Sequence, residues 1–268
     1  MSDGLGQDLF RLDGCVAVVS GASGWLGAAM VDSLARAGAA VVAVGRTEKS
    51  LKAATASVRA DGHDVEVRAC DVGSPDWPSL VEHVMDERGR LDVLVNNAHI
   101  GRGGSLRTAT EELFDEAWQI GVKAAWTATE AARRGFAASV AAGGSPTVIN
   151  VGSMYGLVAP DMSVYASEDG RNPPFYGAAK AALGQLTRYS AAELGPDGIR
   201  ANLLVPGPFP RDPEKMDPAF VASLSARTML GRVGTPHDIR TALLFLASPH
   251  SAFVTGSTIV VDGGWTAR

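Results

Sequence analysis

Seven short runs of apolar, largely β-branched residues recur along the chain, at 15–20 (CVAVVS), 40–44 (AVVAV), 65–70 (VEVRAC), 91–95 (LDVLV), 147–151 (TVINV), 199–205 (IRANLLV) and 257–262 (STIVVD). Between them lie stretches rich in alanine, leucine and charge at helical spacing, among them 26–37, 48–60, 80–88, 111–138 and 176–194. A strand with helices against both faces has no polar side to show, so it reads as a continuous apolar run. Regular alternation of such strands with helices predicts an α/β fold, a doubly wound parallel sheet of about seven strands with helices on both faces. In that architecture ligands sit at the carboxyl ends of the strands. No Pro/Ser-rich or charge-rich stretch divides the chain, so residues 1–268 read as one domain with a substantial core. Two loops stand out as substrate loops: 156–175, and 206 to about 232, proline-rich as far as 218.

A net charge of -5 gives no footprint for nucleic acid or an anionic membrane. Cys15 and Cys70 form no metal-ligand spacing and lie in or beside apolar runs, which suits reduced structural thiols and a cytoplasmic location. The N-terminus carries acids and glycines where a signal peptide would need a basic start and an apolar run. The uncharged stretch 15–31 is interrupted by glycines and serines, which argues against a membrane span. His63, His83, His237 and His250 are scattered and offer no metal constellation.

After the first strand comes SGASGWLG, with Gly21, Gly24 and Gly27 spaced three apart and a helix following. Glycine there permits a sharp turn and lets backbone N–H groups approach a pyrophosphate, while the helix N-terminus adds positive potential. Gly21, Ser23, Gly24, Trp25 and Leu26 are therefore candidate contacts to a dinucleotide. About twenty residues further on, an acid would hold the ribose 2′-hydroxyl of NAD. Here the chain reads Gly45-Arg46-Thr47. Arg46 suits a 2′-phosphate and favours NADP, with NAD possible; it is also placed to be a solvated helix-start residue or to stack on an adenine. Thr47 is positioned as that helix's N-cap, and its hydroxyl can also reach a phosphate. Asp71, at the end of the third strand, can accept from an adenine amino group or serve as another cap.

With these residues placed, the chain resembles the short-chain dehydrogenase/reductase family over about residues 10–265. The resemblance rests on the ordered set of the glycine loop, Asp71-Val72, Asn96-Asn97-Ala98, Ser153, Tyr176-Gly-Ala-Ala-Lys180, Pro206-Gly207 and Val261-Asp-Gly-Gly264. It implies a Rossmann fold and NAD(P)-dependent interconversion of a small-molecule alcohol and its carbonyl, usually in a homotetramer or homodimer. It also implies that Val72, Asn97, Ala98, Pro206 and Gly207 line the cofactor, that Tyr176 is the general acid/base, that Lys180 also holds the nicotinamide ribose, and that Ser153 hydrogen-bonds the substrate oxygen. The chemistry is consistent with those roles. Hydride leaving a carbinol carbon must be matched by a proton leaving its oxygen, and a lysine ammonium at i+4 shares a helix face with the tyrosine and favours its phenolate. Tyr165 is a decoy, because its i+4 residue is Asp169.

The pattern departs from the family in several places. The gap from Ser153 to Tyr176 is 23 residues, longer than most members show. Gly121, in Gln119-Ile-Gly-Val-Lys-Ala124, falls where the family usually has an asparagine whose backbone anchors a proton-path water. Trp25 stands where many relatives have glycine, as a cover for the pyrophosphate or as core. His99 replaces the usual glycine after Asn-Asn-Ala, to contact substrate, to join a proton path, or as a plain loop residue. The charged and hydrogen-bonding groups of both loops, with Phe209, Arg211 and Met216, suit a polar substrate with some apolar surface or merely solvate the loops. SMYG with a long loop ending NPPFYGAAK is similar to sugar-acid and polyol dehydrogenases of the gluconate 5-dehydrogenase type. Gly121 also motivates a different class, an NADP(H)-binding sensor or assembly subunit with lost or repurposed catalysis.

Overall fold

The structure, a computed structural model, describes residues 9–268. Each of the seven apolar runs is a strand: β1 (Val16–Ser20), β2 (Ala40–Gly45), β3 (Val65–Ala69), β4 (Val93–Asn96), β5 (Thr147–Val151), β6 (Arg200–Pro206) and β7 (Thr258–Val261). All pair in parallel in the order β3-β2-β1-β4-β5-β6-β7. The chain begins in the middle of the sheet and winds outward in both directions, so the order reverses between β1 and β4, and a crevice opens beyond their carboxyl ends.

The helices are α1 (Trp25–Arg36), α2 (Glu48–Ala54), α3 (Ala56–Ala60), α4 (Asp76–Arg88), α5 (Glu111–Trp118), α6 (Ala124–Ala131), α7 (Arg133–Ala141), α8 (Pro174–Leu194), α9 (Pro218–Arg227) and α10 (Arg240–Ala247). They cover both faces of the sheet. Ala17 and Val19 of β1 join Val41, Ala43, Val93 and Val95 in a core that packs on Met30 and Leu34 of α1 and Leu243 and Leu246 of α10. The alternate residues Val16, Val18, Val42, Val44 and Leu94 face Trp77, Val81 and Val84 of α4 and Phe136 of α7. Both periods of each central strand are apolar because both are buried.

Three departures from the periodicity stand out. Residues 111–138 read as one helix, yet Gln119–Lys123 form a π-helical turn and Ala132 interrupts α6 and α7. The extra residue of a π turn shifts the phase of the following face by about 100°, a single step that helical spacing on either side does not reveal. Residues 48–60 divide at Thr55, whose hydroxyl donates to the Leu51 carbonyl at 2.9 Å. The segment read as a loop from 206 to 232 contains α9, started by Pro218 and capped by Asp217, whose carboxylate accepts from the Ala219 N–H at 2.9 Å. No helix among the described residues is long and apolar enough to cross a membrane.

Candidate active site

The glycine loop opens at the switch point of the sheet. Gly21 has φ +64, a left-handed conformation that a side chain would strain. A Cβ on Gly27 would lie 2.1 Å from the Gly21 carbonyl oxygen, so only glycine lets α1 pack this close to the turn. The loop is fastened to the end of β4. The Asn97 side-chain amide donates to the carbonyls of Ser20 (3.0 Å) and Gly21 (3.2 Å), while Ser20 Oγ accepts from the N–H groups of Asn97 (3.0 Å) and Ala98 (3.2 Å). Asn97 thus shapes the cradle with its side chain.

The residues of this cradle fit a nicotinamide dinucleotide. No side chain caps α1, so its first-turn N–H groups remain for a ligand. The indole N–H of half-buried Trp25, at the first position of α1, is itself buried without a partner. A Cβ on Gly45 would stand 3.5 Å from Ser23 Oγ, which brings the end of β2 against the loop. The next residue, Arg46, is exposed and makes no hydrogen bond or ion pair among the described residues. Thr47 occupies the N-cap of α2 as expected, but its side chain makes no capping bond, so its hydroxyl stays available. Asp71 behaves as a cap: its Oδ1 accepts from the Gly73 N–H at 2.9 Å in the turn that leads into α4. Val72 is buried beside it. On the far side, Gly207 N–H donates to the Val261 carbonyl at 2.9 Å, tying the Pro206-Gly207 turn to the end of β7.

Ser153 lies buried just past β5, with extended backbone, and its Oγ accepts from the Tyr155 N–H at 3.2 Å. Tyr176 and Lys180 occupy the first two turns of α8, which begins two residues earlier than the sequence suggests. Extended Pro173 is its N-cap and Pro174 its first residue, where the missing N–H is no loss. Gly156 draws α8 onto the Ser153 turn: a Cβ there would fall 2.9 Å from the Lys180 backbone carbon.

A buried polar chain fixes the helix to the sheet. Asn96 Nδ2 donates to Asn150 Oδ1 (2.8 Å), Asn150 Nδ2 to Thr187 Oγ1 (2.9 Å), and Thr187 Oγ1 to the Leu183 carbonyl (2.7 Å). Sequence reasoning missed Asn150 and Thr187. The available signal was an asparagine inside the apolar run TVINV, in register with Asn96 on the next strand.

Lys180 is 4% exposed; its ammonium donates to the Val151 carbonyl at 2.7 Å and stands 5.8 Å from the centre of the Tyr176 ring. Burial pushes Lys180 down to about 8. Burial also holds the Tyr176 phenol above its ordinary value, and a hydrogen bond with Ser153 works against that. The lysine was expected to lower the phenol; here its amine is engaged by Val151, and Ser153 is the neighbour that favours the phenolate.

Gly121 is buried in the π turn, and a Cβ there would meet only Ala179 Cβ, at an ordinary 3.5 Å. Close packing therefore does not require the glycine. A small cavity lies beside it, lined by Ser20, Asn96, Ala98 and Ile120 among others.

The two substrate loops touch. Asp161 caps a 3-10 turn (Met162–Val164), and Arg227 of α9 donates to Asp161 Oδ2 (2.7 Å) and Ser163 Oγ (2.8 Å). The Tyr155 and Tyr165 hydroxyls are 3.0 Å apart; Tyr165 packs on Phe220 of α9, and Tyr155 packs edge-on against Trp265. Tyr165 lies outside any helix.

A family model described as enoyl-(acyl carrier protein) reductase matches residues 21–266. An uncharacterized oxidoreductase of Mycobacterium tuberculosis is 35% identical over 97% of this chain and 95% of its own length. Galactitol 2-dehydrogenase of Rhizobium johnstonii is 32% identical over 97% of this chain and 98% of its own. Among solved structures, a gluconate 5-dehydrogenase from Burkholderia cenocepacia in complex with NADP and tartrate superposes with a TM-score of 0.85 at 30% identity, covering 98% of this chain and 99% of the other.

Proposed function

The chain belongs to the short-chain dehydrogenase/reductase family, and from that membership we propose that it is an NADP-preferring enzyme interconverting a secondary alcohol and a ketone, with Tyr176 as general acid/base. The observation that carries the reading is the convergence of Ser153, Tyr176 and Lys180 at the carboxyl end of β5, next to a glycine cradle and the unpaired Arg46. A bound oxidised nicotinamide supplies the hydride acceptor and a positive charge.

In alcohol oxidation, Ser153 donates to the substrate oxygen and orients it, and Tyr176 as phenolate takes the hydroxyl proton while hydride leaves the carbinol carbon. In ketone reduction Tyr176 returns that proton to the carbonyl oxygen. Lys180, held to the backbone at Val151, carries its charge beside the Tyr176 ring and would hold the nicotinamide ribose. The names of relatives that act on galactitol and gluconate, with the polar loop 156–175, support a polyhydroxylated substrate or its keto form. The test is turnover of NADPH or NADP by purified protein against a panel of polyols, sugar acids and their ketones, in which no turnover at all would overturn the reading.

Arg46 supplies the cofactor preference. Arg46→Ala should weaken NADPH about 10- to 100-fold, the worth of a charge-assisted phosphate contact, and leave NADH nearly unchanged. Equal losses in fluorescence titrations of the two would remove the 2′-phosphate role.

Two exposed apolar areas support assembly from copies of this chain. Phe245, Phe253 and Val260 lie at or near the edge made by β7, and Phe114, Trp118, Trp126 and Tyr189 lie along α5, α6 and α8. Light scattering should give the mass of two or four chains; a single-chain mass would rule this out.

A further inference from the structure

We propose that His99 is the proton-relay residue of this site, passing the proton between Tyr176 and bulk water at the mouth of the cleft. This rests on the oxidoreductase reading above. The His99 ring packs edge-to-face on the Tyr176 ring, 6.3 Å between centres and 74° between planes, and the residue is exposed to solvent. It is thus in contact with the phenol on one side and with water on the other.

The alternatives around Tyr176 are poor carriers. Residue 121 has no side chain, and the Lys180 amine is buried and bound to Val151. Tyr155, held by the Tyr165 hydroxyl, sits in surroundings that push its phenol far above the ordinary value.

The imidazole is set up to pass a proton on and not to keep it. The nearby Asn97 carbonyl favours a proton on one ring nitrogen, which leaves the other as the acceptor. Partial burial and the Lys180 charge push the group down to about 4, against the pull of the Asn97 carbonyl. The ring is therefore neutral at neutral pH. Tyr176 and Lys180 of α8 are the groups that act on it directly; Arg102 and Arg107 follow on its own loop, Glu168, Asp169 and Arg171 belong to the segment packed against Gly103 and Gly104, and Tyr155 lies across Tyr176 on the Ser153 turn. Arg107 and Arg171 lie 3.7 and 3.5 Å from Glu168, so this outer group largely neutralises itself.

In alcohol oxidation a bound oxidised nicotinamide would take the electron pair of the substrate C–H bond as hydride, while the substrate O–H proton forms the Tyr176 O–H. Tyr176 then gives that proton through one water molecule to the basic nitrogen of His99, which regenerates the phenolate. The imidazolium releases it to solvent.

His99→Gln keeps a donor for the Asn97 carbonyl but cannot take up a proton. The variant should fold with unchanged thermal stability and bind NADPH as before. Its kcat should fall about tenfold, and its solvent deuterium isotope effect should rise. The same variant should lose the limb of the pH–rate profile that reports the imidazole, and added free imidazole should restore much of the rate. In stopped flow, dye-reported proton release should lag behind NADPH formation in the variant and keep pace with it in the parent. An unchanged kcat and pH profile would overturn the proposal, and so would a raised KM at constant kcat, which would make His99 a substrate contact. Absence of turnover in the parent protein would overturn the oxidoreductase reading itself, whereas an active parent matched by His99→Gln sinks only the relay.

Discussion

Tyr176→Phe is expected to lower kcat by about 10²- to 10⁴-fold while the dissociation constant for NADPH stays within about twofold, because the substitution removes one oxygen that acts only on the reacting proton. The ring remains to pack against His99, and the Asn96–Asn150–Thr187 chain that holds α8 does not involve the phenol. The loss should therefore appear in turnover and not in stability. Fluorescence titration with NADPH beside steady-state kinetics on the same preparation separates the two. A variant that retains a tenth or more of the parent rate would transfer the acid/base role to another group. In the alcohol-oxidising direction the parent rate should rise with pH through the phenol's titration, since the phenolate is the base. The ketone-reducing direction should fall over the same range.

Lys180→Met should produce the opposite pairing of effects: activity lost by about 10²-fold or more, with greater stability of the protein free of nucleotide. Burial depresses this amine from 10.5 to about 8. Below pH 8 it is protonated in both folded and unfolded chains, and the folded state bears the full penalty of a buried charge. Between about 8 and 10.5 the unfolded chain holds the proton and the folded chain does not, so parent stability should climb with pH across that window. The depression corresponds to roughly 3 kcal/mol, from which about 1 kcal/mol is offset by the lost bond to the Val151 carbonyl. At pH 7 the methionine variant should therefore melt several degrees higher than the parent, and its Tm should lack the rise above pH 8. Equal or lower Tm at pH 7 would mean that the ammonium is well compensated in the folded protein.

How much of this was legible beforehand depends on what each feature requires of its side chains. The strands were visible because Val16 to Val19 and Val41 to Val44 are buried on alternate sides of one sheet and must all be apolar. The cradle was visible because Gly21 and Gly27 are imposed by backbone geometry that no other residue accommodates. The π turn at 119–123 was not, since it changes which carbonyl a given N–H meets without changing which residues are apolar. Helix α9 was hidden by the prolines around it, although Asp217-Pro218 is a start signal once read as cap and first residue. Asn97 was expected to line the cofactor; its amide spends its donors on the Ser20 and Gly21 carbonyls, a pairing that only the fold brings about. His99 was noted as an oddity at the cleft, but its contact with Tyr176 depends on how α8 approaches β4, which no local pattern encodes.

The contacts from Arg227 to Asp161 and Ser163, and from Tyr165 to Phe220, join two segments far apart in the chain into one wall of the cleft. Recombination between this protein and a relative would meet that wall as an indivisible module. A graft of 156–175 alone would bring an acceptor without its guanidinium, and a graft of 218–227 alone the reverse, so inherited or engineered shifts in which molecules are accepted should arrive as matched changes at both places.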